Sequence, residues 1–272
     1  MMQFALIASG SKGNCFLLRD GTTKIMVDCG TTRKYLFDSL EKLGVAASDL
    51  DAVLVTHDHS DHVSQIRFFR DMVVYSPVEL YDVETLRVDP LRRFHVNSLE
   101  IMPLALSHDA PNTVGYVFDN GAERLVYVTD TGYFHGSYIP LARGADYIVM
   151  ESNHDIGMLM RTRRPQYLKM RICSDYGHLN NEDCADILDK IVNENTKMVI
   201  LAHISQEANT RELALSVSRQ GLLAHEGRLD PGLLLCAAGQ FEMIQKGWND
   251  EKNDPGACYC AIGMEHLAHA KV

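Results

Sequence analysis

The segment 56–62 (Thr-His-Asp-His-Ser-Asp-His) constrains this chain more than any other, because it places three histidines and two aspartates within six positions. It directly follows the apolar run Ala-Val-Leu-Val, which predicts a β-strand. If the backbone is still extended at His57 and His59, both imidazoles point to one side and can share a metal ion. Asp61 and His62 then follow a turn, at the start of a predicted helix over 63–70, and would face a second metal. The pattern therefore predicts a metal centre at the end of a strand.

Three later polar residues each end another strand-like segment. His108 follows Met-Pro-Leu-Ala-Leu-Ser, Asp130 follows Arg-Leu-Val-Tyr-Val-Thr, and His203 follows Lys-Met-Val-Ile-Leu-Ala. Alone, each would be an ordinary surface or core residue, but their order after the first cluster favours further metal ligands. Imidazoles with a few carboxylates suit zinc, manganese or iron better than calcium or magnesium. We therefore expect two divalent transition-metal ions as cofactors.

The composition limits the class of protein and its partners. Of the 272 residues, 46% are hydrophobic and 23% charged, as in a folded globular protein with a large core. The net charge of −10 excludes a surface that is basic all round, so a nucleic acid would bind through a local patch and bound cations. No basic leader and no apolar stretch of about 18 residues is visible, so we expect a cytoplasmic protein without membrane contact and with reduced thiols. No feature of the sequence specifies an oligomeric state.

Short apolar runs rich in valine, isoleucine, leucine and tyrosine alternate with amphipathic helical patterns, and this alternation indicates α/β layers. The helical patterns are clearest over 32–43, 181–193 and 210–220. From about residue 245 the sequence becomes rich in turn formers and loses any apolar period. We therefore expect one domain over 1–244 and a flexible C-terminal tail over 245–272.

The tail contains four residues that could be interpreted as a metal site, namely Cys258, Cys260, His266 and His269. We predict that they do not form one, because zinc-binding cysteines are usually separated by two or more residues.

The ordered set of polar residues resembles the metallo-β-lactamase superfamily. The resemblance implies an αββα four-layer sandwich of two mixed β-sheets flanked by helices. It also implies that one metal is bound by His57, His59 and His108, the other by Asp61, His62 and His203, with Asp130 bridging the two. An aspartate at position 130 resembles the phosphodiesterase and glyoxalase II branches, whereas several true β-lactamases have cysteine there, so antibiotic hydrolysis is disfavoured.

Motifs outside the metal set make the resemblance closer. The stretches ASGSKGNC, VDCG, SHDA, TDTGY, ESNHD, SDYGHLNNED and LAHIS resemble the bacterial YycJ/WalJ-type proteins over about residues 2–240. These proteins are regarded as 5′ to 3′ exonucleases on double-stranded DNA. The resemblance therefore implies a metal-dependent nuclease with DNA as its substrate and a metal-bridging hydroxide as its nucleophile.

Four residues are candidates for supporting this chemistry. Asp61 would orient the attacking water as well as bind metal. Asp28 would hold a ligand histidine from behind; the less favoured alternative is a turn aspartate that stabilises the Val-Asp-Cys-Gly reversal. His178 is the candidate proton donor to the leaving group, oriented by Glu151; the alternative is that His178 only caps or packs the following helix.

Two groups of residues are candidates for substrate contacts. Asn153 and His154 could contact a phosphate or could be loop residues bonded to their own backbone. A run of five basic residues without an intervening acidic one forms a candidate phosphate-binding strip or, alternatively, a solvated helix face. The members of this run are Arg161, Arg163, Arg164, Lys169 and Arg171.

Two other functions compete with a nuclease. A small-molecule hydrolase, such as a cyclic-phosphate phosphodiesterase or a thiolester hydrolase, would use the same pair of metals. A non-catalytic scaffold protein would also keep the fold, but loss of catalysis is normally accompanied by loss of a ligand, and all seven candidate ligands are present.

Overall fold

Two β-sheets form the frame of the protein. The computed structural model describes residues 1–223 and 229–248 and the backbone of a strand at 258–260. The strands of the first sheet are β1 (Met2–Ala8), β2 (Cys15–Asp20), β3 (Thr23–Val27), β4 (Ala52–Leu54), β5 (Val74–Ser76), β6 (Thr85–Arg87) and β14 (Ile244–Lys246). Those of the second are β7 (Phe94–Val96), β8 (Leu99–Ala105), β9 (Val114–Asp119), β10 (Arg124–Val128), β11 (Tyr147–Glu151), β12 (Met198–Ala202), β13 (Leu234–Ala237) and β15 (Cys258–Cys260).

Both sheets are mixed. The first has the order β14-β1-β2-β3-β4-β5-β6, with β3 to β6 parallel and the other pairs antiparallel. The second has the order β15-β13-β12-β11-β10-β9-β8-β7, with β10 to β13 parallel. Parallel strands end at the same edge of a sheet, so the residues that follow β3, β4, β10, β11 and β12 can meet there.

The two sheets pack face to face, and helices cover their outer faces. Between the sheets, Phe4 meets Tyr147 and Phe16 meets Tyr127, with ring centroids 5.2 and 5.1 Å apart. The helices are α1 (Arg33–Lys42), α2 (Ser60–Val63), α3 (Ile139–Ala142), α4 (Ile156–Arg161), α5 (Gln166–Ile172), α6 (Asn181–Ile191) and α7 (Arg211–Leu223). The apolar side of α1 lies on the first sheet, and those of α3, α6 and α7 lie on the second. The predicted αββα sandwich of two mixed sheets is confirmed.

Of the four predicted helices, three are present and the fourth is interrupted. Thr32 and Asn180 accept backbone hydrogen bonds as N-caps of α1 and α6, as expected for residues with short polar side chains. The helix predicted over 63–70 is wrong, since α2 ends at Val63 and a separate 3₁₀ turn covers Ile66–Phe69. The backbone of Gln65 bonds to Cys29 instead of continuing α2.

The expected boundary between domain and tail falls inside β14, which pairs with β1. Just beyond it, the indole of Trp248 is buried, and its Nε1 donates to the carbonyl of Leu43, 2.8 Å away. The side chains of Cys258 and Cys260 and all of His266 and His269 lie outside the described residues, so the prediction that they bind no metal stays a prediction.

Two expectations from composition also bear on the described residues. No helix there is long and apolar enough to cross a membrane, and the cytoplasmic location stays a prediction. Cys15, Cys29, Cys173 and Cys184 are free thiols. Cys236 is disulfide-bonded, so the expectation of reduced thiols is wrong at that residue.

Candidate metal centre

Strand ends from both sheets bring the predicted ligands to one edge of the sandwich. His57 lies three residues after the end of β4, Asp130 two residues after β10, and His203 directly after β12. His108 follows β8, which runs in the same direction as β10 because both are antiparallel to β9. Long-range strand pairing therefore assembles residues that are up to 146 positions apart in the sequence.

Three histidines form the first group. The ligand atoms of His57, His59 and His108 all lie within 4.8 Å of one another. Their ring centroids are 4.6 to 5.2 Å apart. Three imidazole nitrogens at this spacing match the three protein ligands of an open tetrahedral metal site.

The remaining predicted ligands gather around Asp130 rather than in one compact group. His57, His62 and Asp130 form one set within 4.8 Å, and Asp130, Glu151, His178 and His203 form another. The carboxylate of Asp130 lies 3.2 Å from His62 Nε2, 3.5 Å from His203 Nδ1 and 4.0 Å from His108 Nε2. Asp61 reaches this group through its Oδ2 atom, 3.7 Å from His62 Nε2. Asp130 is thus the carboxylate that the last two sets share, and it also lies near His108 of the first group.

Buried polar atoms without a partner test whether these residues fit a metal. Among the described residues, His57 Nε2, His203 Nε2 and Asp130 Oδ2 are buried and make no hydrogen bond. Buried polar groups in proteins are normally satisfied, so three such atoms on residues of the candidate ligand set indicate a missing partner. The atoms are lone-pair donors, and a divalent cation is the partner that they fit.

The hydrogen bonds behind the ligands fix which nitrogen faces the cluster. The Nδ1 atoms of His62, His108 and His203 lie 2.8 to 3.0 Å from Asp28, the Gly177 carbonyl and Glu151 respectively. These oxygens only accept, so Nδ1 carries the proton and Nε2 is left with its lone pair.

Asp28 is fully buried behind His62. Its carboxylate accepts hydrogen bonds from the backbone N–H and the hydroxyl of Thr56, both at 2.9 Å, in addition to the contact with His62. The side chain therefore joins the end of β3 to the start of the histidine cluster, and its supporting role for a metal ligand stays a prediction.

Three residues of the centre have a strained backbone. Asp28, Asp130 and His203 have φ angles of 58°, 56° and 53°, and each follows the end of a strand. The left-handed region is unfavourable for residues with a Cβ atom, by about 1–3 kcal/mol each, and such strain is concentrated at functional sites. The turns direct the three side chains into the shared edge.

Glu151 contacts two histidines at once. Its Oε1 lies 2.7 Å from His178 Nδ1 and 2.8 Å from His203 Nδ1, and its Oε2 accepts from the backbone of Thr131 at 2.8 Å. Burial alone would raise the pKa of Glu151, but the facing His178 and hydrogen bonds from both histidines lower it to about 2. The predicted pairing of Glu151 with His178 is thus present in the geometry, and Glu151 also supports a candidate ligand.

Two residues that the sequence analysis did not select touch the centre. Asn14 is buried, and its amide nitrogen lies 2.9 Å from His62 Nε2, while its backbone N–H donates to the carbonyl of Asp61 at 2.8 Å. Asp109 Oδ1 lies 3.1 Å from His108 Nε2, on the side where a metal would bind. The motifs SGSKGN and SHDA, which carry these residues, were the available signals.

The two loop residues Asn153 and His154 point inward. Asn153 donates to the backbone carbonyl of His203 at 2.8 Å. His154 is 1% exposed, and its Nε2 lies 3.6 Å from Cys173 Sγ. Neither side chain is open to a substrate, so the expectation of phosphate contacts does not fit their burial, and Asn153 positions His203 instead.

The five residues of the basic run have different environments. Arg161 and Arg163 are exposed. Arg164 forms an ion pair with Glu207 at 3.0 Å, and Arg171 pairs with Asp109. Lys169 is 8% exposed, and its ammonium donates to the carbonyl of Met160 at 2.7 Å. The expectation that Lys169 contacts a substrate phosphate therefore conflicts with the structure, because its charge is used inside the fold.

Comparison with known proteins gives consistent matches. The model of the β-lactamase superfamily domain matches residues 23–204. Exodeoxyribonuclease YycJ of Bacillus anthracis is 33% identical over 233 residues, which are 80% of this chain and 88% of the relative. Exodeoxyribonuclease WalJ of Streptococcus pneumoniae serotype 2 is 32% identical over 229 residues, 78% of this chain and 85% of the relative. Among solved structures, the metallo-β-lactamase fold protein YhfI of Bacillus subtilis matches 90% of this chain and 99% of its own, with a TM-score of 0.67 and 16% identity.

Proposed function

The chain belongs to the β-lactamase superfamily, and from this premise we propose that it is a dinuclear-metal phosphodiesterase, an exonuclease that degrades double-stranded DNA from 5′ to 3′. The observation that carries the proposal is the position of Asp130, whose buried carboxylate lies between the histidine groups of the two predicted metals. The names of the two relatives supply the substrate class, DNA.

The residues of the chain divide into ligands and supporting groups. We assign His57, His59 and His108 to one metal, Asp61, His62 and His203 to the other, and Asp130 to both. Zinc or manganese would satisfy this set of imidazoles and carboxylates, and iron is a further candidate. When bound, two such ions would lower the pKa of a water molecule and neutralise the charge that develops on the phosphate.

Two side chains would act on protons and water. Asp61 is half-buried at the edge of the centre, where its carboxylate can orient the attacking water. His178 is 17% exposed at its side chain, and Glu151 occupies its Nδ1 atom, so its Nε2 atom remains to donate a proton to the leaving 3′ oxygen.

A small-molecule phosphodiesterase is the second candidate, and two observations favour it. The net charge of −10 opposes a long polyanion more than a small ester. In addition, Lys169 is buried and Arg164 is neutralised by Glu207, which leaves the basic strip weaker than the sequence implied. Arg171 is likewise paired with Asp109, so an exonuclease would depend more strongly on Arg161 and Arg163.

An end-labelled duplex DNA assay tests the proposal. The purified protein is depleted of metal with a chelator, and zinc, manganese or iron is added back while metal content is measured. We expect close to two ions per chain and release of nucleotides from the 5′ end, with Asp130→Ala inactive. A stoichiometry of one with full activity would refute the dinuclear site. Turnover of a cyclic phosphodiester or thiolester without DNA cleavage would favour the second candidate.

A further inference from the structure

The loops after β10 and α5, here called the wall, carry two exposed tyrosines as well as the candidate ligand Asp130 and the candidate proton donor His178. Tyr133 is 51% exposed and Tyr176 is 65% exposed. Within the part of the chain that the structure describes, Tyr176 has no ring contact or side-chain hydrogen bond, and the ring of Tyr133 meets that of His135 at 6.2 Å. Single exposed aromatic side chains are common on protein surfaces, so the position of these two tyrosines, and not their exposure, distinguishes them.

The backbone beside each tyrosine is fixed to the metal centre. The carbonyl of Gly177, next to Tyr176, accepts from His108 Nδ1 at 3.0 Å. The N–H of Gly132, next to Tyr133, donates to the carbonyl of Ser107 at 2.8 Å, one residue before His108. Consecutive Cα atoms are about 3.8 Å apart. Each tyrosine is therefore one residue away from a backbone group that bonds to His108 or to its neighbour Ser107.

The two loops also touch each other. A Cβ atom at Gly132 would lie 2.2 Å from the carbonyl oxygen of Ser174 and 2.5 Å from that of Asp175. Tyr133 directly follows Gly132, and Tyr176 directly follows Asp175. The two tyrosines are therefore attached to neighbouring points of the backbone in this wall. Glycine is required at position 132 because any side chain would separate the loops and the two tyrosines with them.

A cation lies next to this wall. Arg171 is exposed and pairs with Asp109, whose other carboxylate oxygen lies 3.1 Å from His108 Nε2. A tyrosine ring can stack on a base and a guanidinium group can attract a phosphate, so these side chains match the two parts of a nucleotide. A protein partner would not explain why the backbone beside both tyrosines bonds to His108 or to its neighbour Ser107.

We propose that Tyr133 and Tyr176 form a stacking site for a nucleobase adjacent to the phosphodiester at the metal centre. The inference rests on the proposed nuclease function and narrows its substrate. A base inside a duplex has both faces covered by its neighbours, so a base that stacks on tyrosine must be unpaired or terminal. The preferred substrate is therefore a DNA end whose terminal bases are unpaired, and phosphodiesters without a base are poor substrates.

A comparison of substrates with and without bases tests the stacking site. Two duplexes carry the same unpaired 5′ end, and in one of them the terminal unpaired nucleotides are abasic. For the wild-type enzyme, removal of the bases should lower kcat/KM by roughly 10- to 100-fold, the range expected for one or two stacking contacts. In Tyr176→Ala and Tyr133→Ala the ratio of kcat/KM with the bases to kcat/KM without them should fall toward one. Tyr176→Phe should keep the wild-type ratio because the aromatic face is kept.

Tyr81→Ala provides the matched control, since this tyrosine is 108% exposed and lies between β5 and β6 in the first sheet. It should keep the wild-type ratio. Metal content of each variant shows whether the centre is intact. Base-independent losses in the tyrosine variants, or no loss at all, would overturn the stacking site.

A binding measurement separates this inference from the proposed function. 2-Aminopurine at the unpaired terminus is mixed with enzyme in a stopped-flow instrument, and its fluorescence is followed before cleavage. Quenching by the wild-type enzyme that is lost in Tyr176→Ala supports stacking even if cleavage fails. Cleavage of DNA by the wild type without such quenching would reject stacking and leave the nuclease proposal standing.

Discussion

Three of the candidate ligands, His62, His203 and His108, depend on a group behind them. Asp28 holds the Nδ1 side of His62, Glu151 that of His203, and the carbonyl of Gly177 that of His108. In each case the contact fixes the tautomer that presents Nε2 to the metal. The affinity of the centre therefore depends on residues that would not touch the metal themselves.

Replacing Asp28 by asparagine tests this dependence. The amide cannot accept from both Thr56 and His62 as the carboxylate does, so the orientation of His62 should be lost in part. We expect metal affinity to fall by roughly 10- to 100-fold, measured by competition with a chromogenic chelator. Asp58→Asn is the matched control, because Asp58 lies within the same histidine cluster but is exposed. Equal affinities for the two variants would contradict the supporting role of Asp28.

His178 and Glu151 should give different kinetic defects. His178→Ala should lower kcat by about 10² to 10⁴ with metal content unchanged, and should affect poor leaving groups more than p-nitrophenolate. Glu151→Gln should also lower metal content, because Glu151 contacts His203 as well as His178. Metal analysis and turnover of two esters separate the two effects. Loss of metal from His178→Ala would instead assign that histidine to the ligand set.

At the scale of elements, α4, α5 and the loop after α5 form one side of the centre. Lys169 in α5 donates to the carbonyl of Met160 near the end of α4, and this bond joins the two helices. Arg161 and Arg163 project from the same segment into solvent. In this segment, Lys169 stabilises the fold, whereas Arg161 and Arg163 are free to contact a substrate.

The exposed cations should control the salt dependence of DNA binding. Each lost phosphate contact reduces the slope of log K against log salt by about 0.9, so the double variant Arg161→Ala/Arg163→Ala should lower it by about 2. Titration of a labelled duplex at several salt concentrations measures the slope. Arg143→Ala is the control, since Arg143 is exposed shortly before β11 begins, at the opposite edge of the second sheet. An unchanged slope in the double variant would make the strip a solvated face.

Lys169→Ala should behave differently from the arginine variants. It removes a hydrogen bond from a charged donor that is almost fully buried, so we expect a loss of about 1–3 kcal/mol in the free energy of unfolding. The salt slope should not change. A smaller slope without a loss of stability would show that Lys169 meets the substrate.

Residues 244–248 pack against the N-terminal strand and the end of α1. β14 pairs with β1, and Trp248 packs beyond it against the end of α1, with Arg19 4.8 Å above its ring. The first residues of the expected tail thereby contribute to the packing of the first sheet.

Trp248→Ala tests this packing. Removing a buried indole costs about 3–5 kcal/mol, so Tm should fall by roughly 10 °C or more. Thermal unfolding measures the change, and Leu86→Ala, at a residue 53% exposed on β6, is the control. A Tm close to wild type would show that the domain ends before residue 245, as the sequence suggested.

Features that depend on local chemistry could be predicted from the order of the residues alone. The spacing of His57, His59, Asp61 and His62 predicted a metal centre because few other arrangements need such a density of ligands. The apolar periods over 32–43 and 181–193 predicted α1 and α6 because an amphipathic helix repeats its buried side chains every three or four residues. The motifs along the chain also indicated the superfamily and the αββα sandwich, since strand ends carried the polar residues in a recognisable order.

Which residues meet across the molecule depends on the tertiary structure. It placed Asn14 against His62 and Asp109 against His108, gave Glu151 two histidines instead of one, and buried Lys169. It also stopped the helix predicted over 63–70, because a backbone bond from Gln65 to Cys29 replaced the next helical turn. Asn14 and His62 are 48 positions apart, and Glu151 and His203 are 52 apart. Contacts at such separations depend on how the two sheets pack, and no local pattern in the sequence encodes that packing.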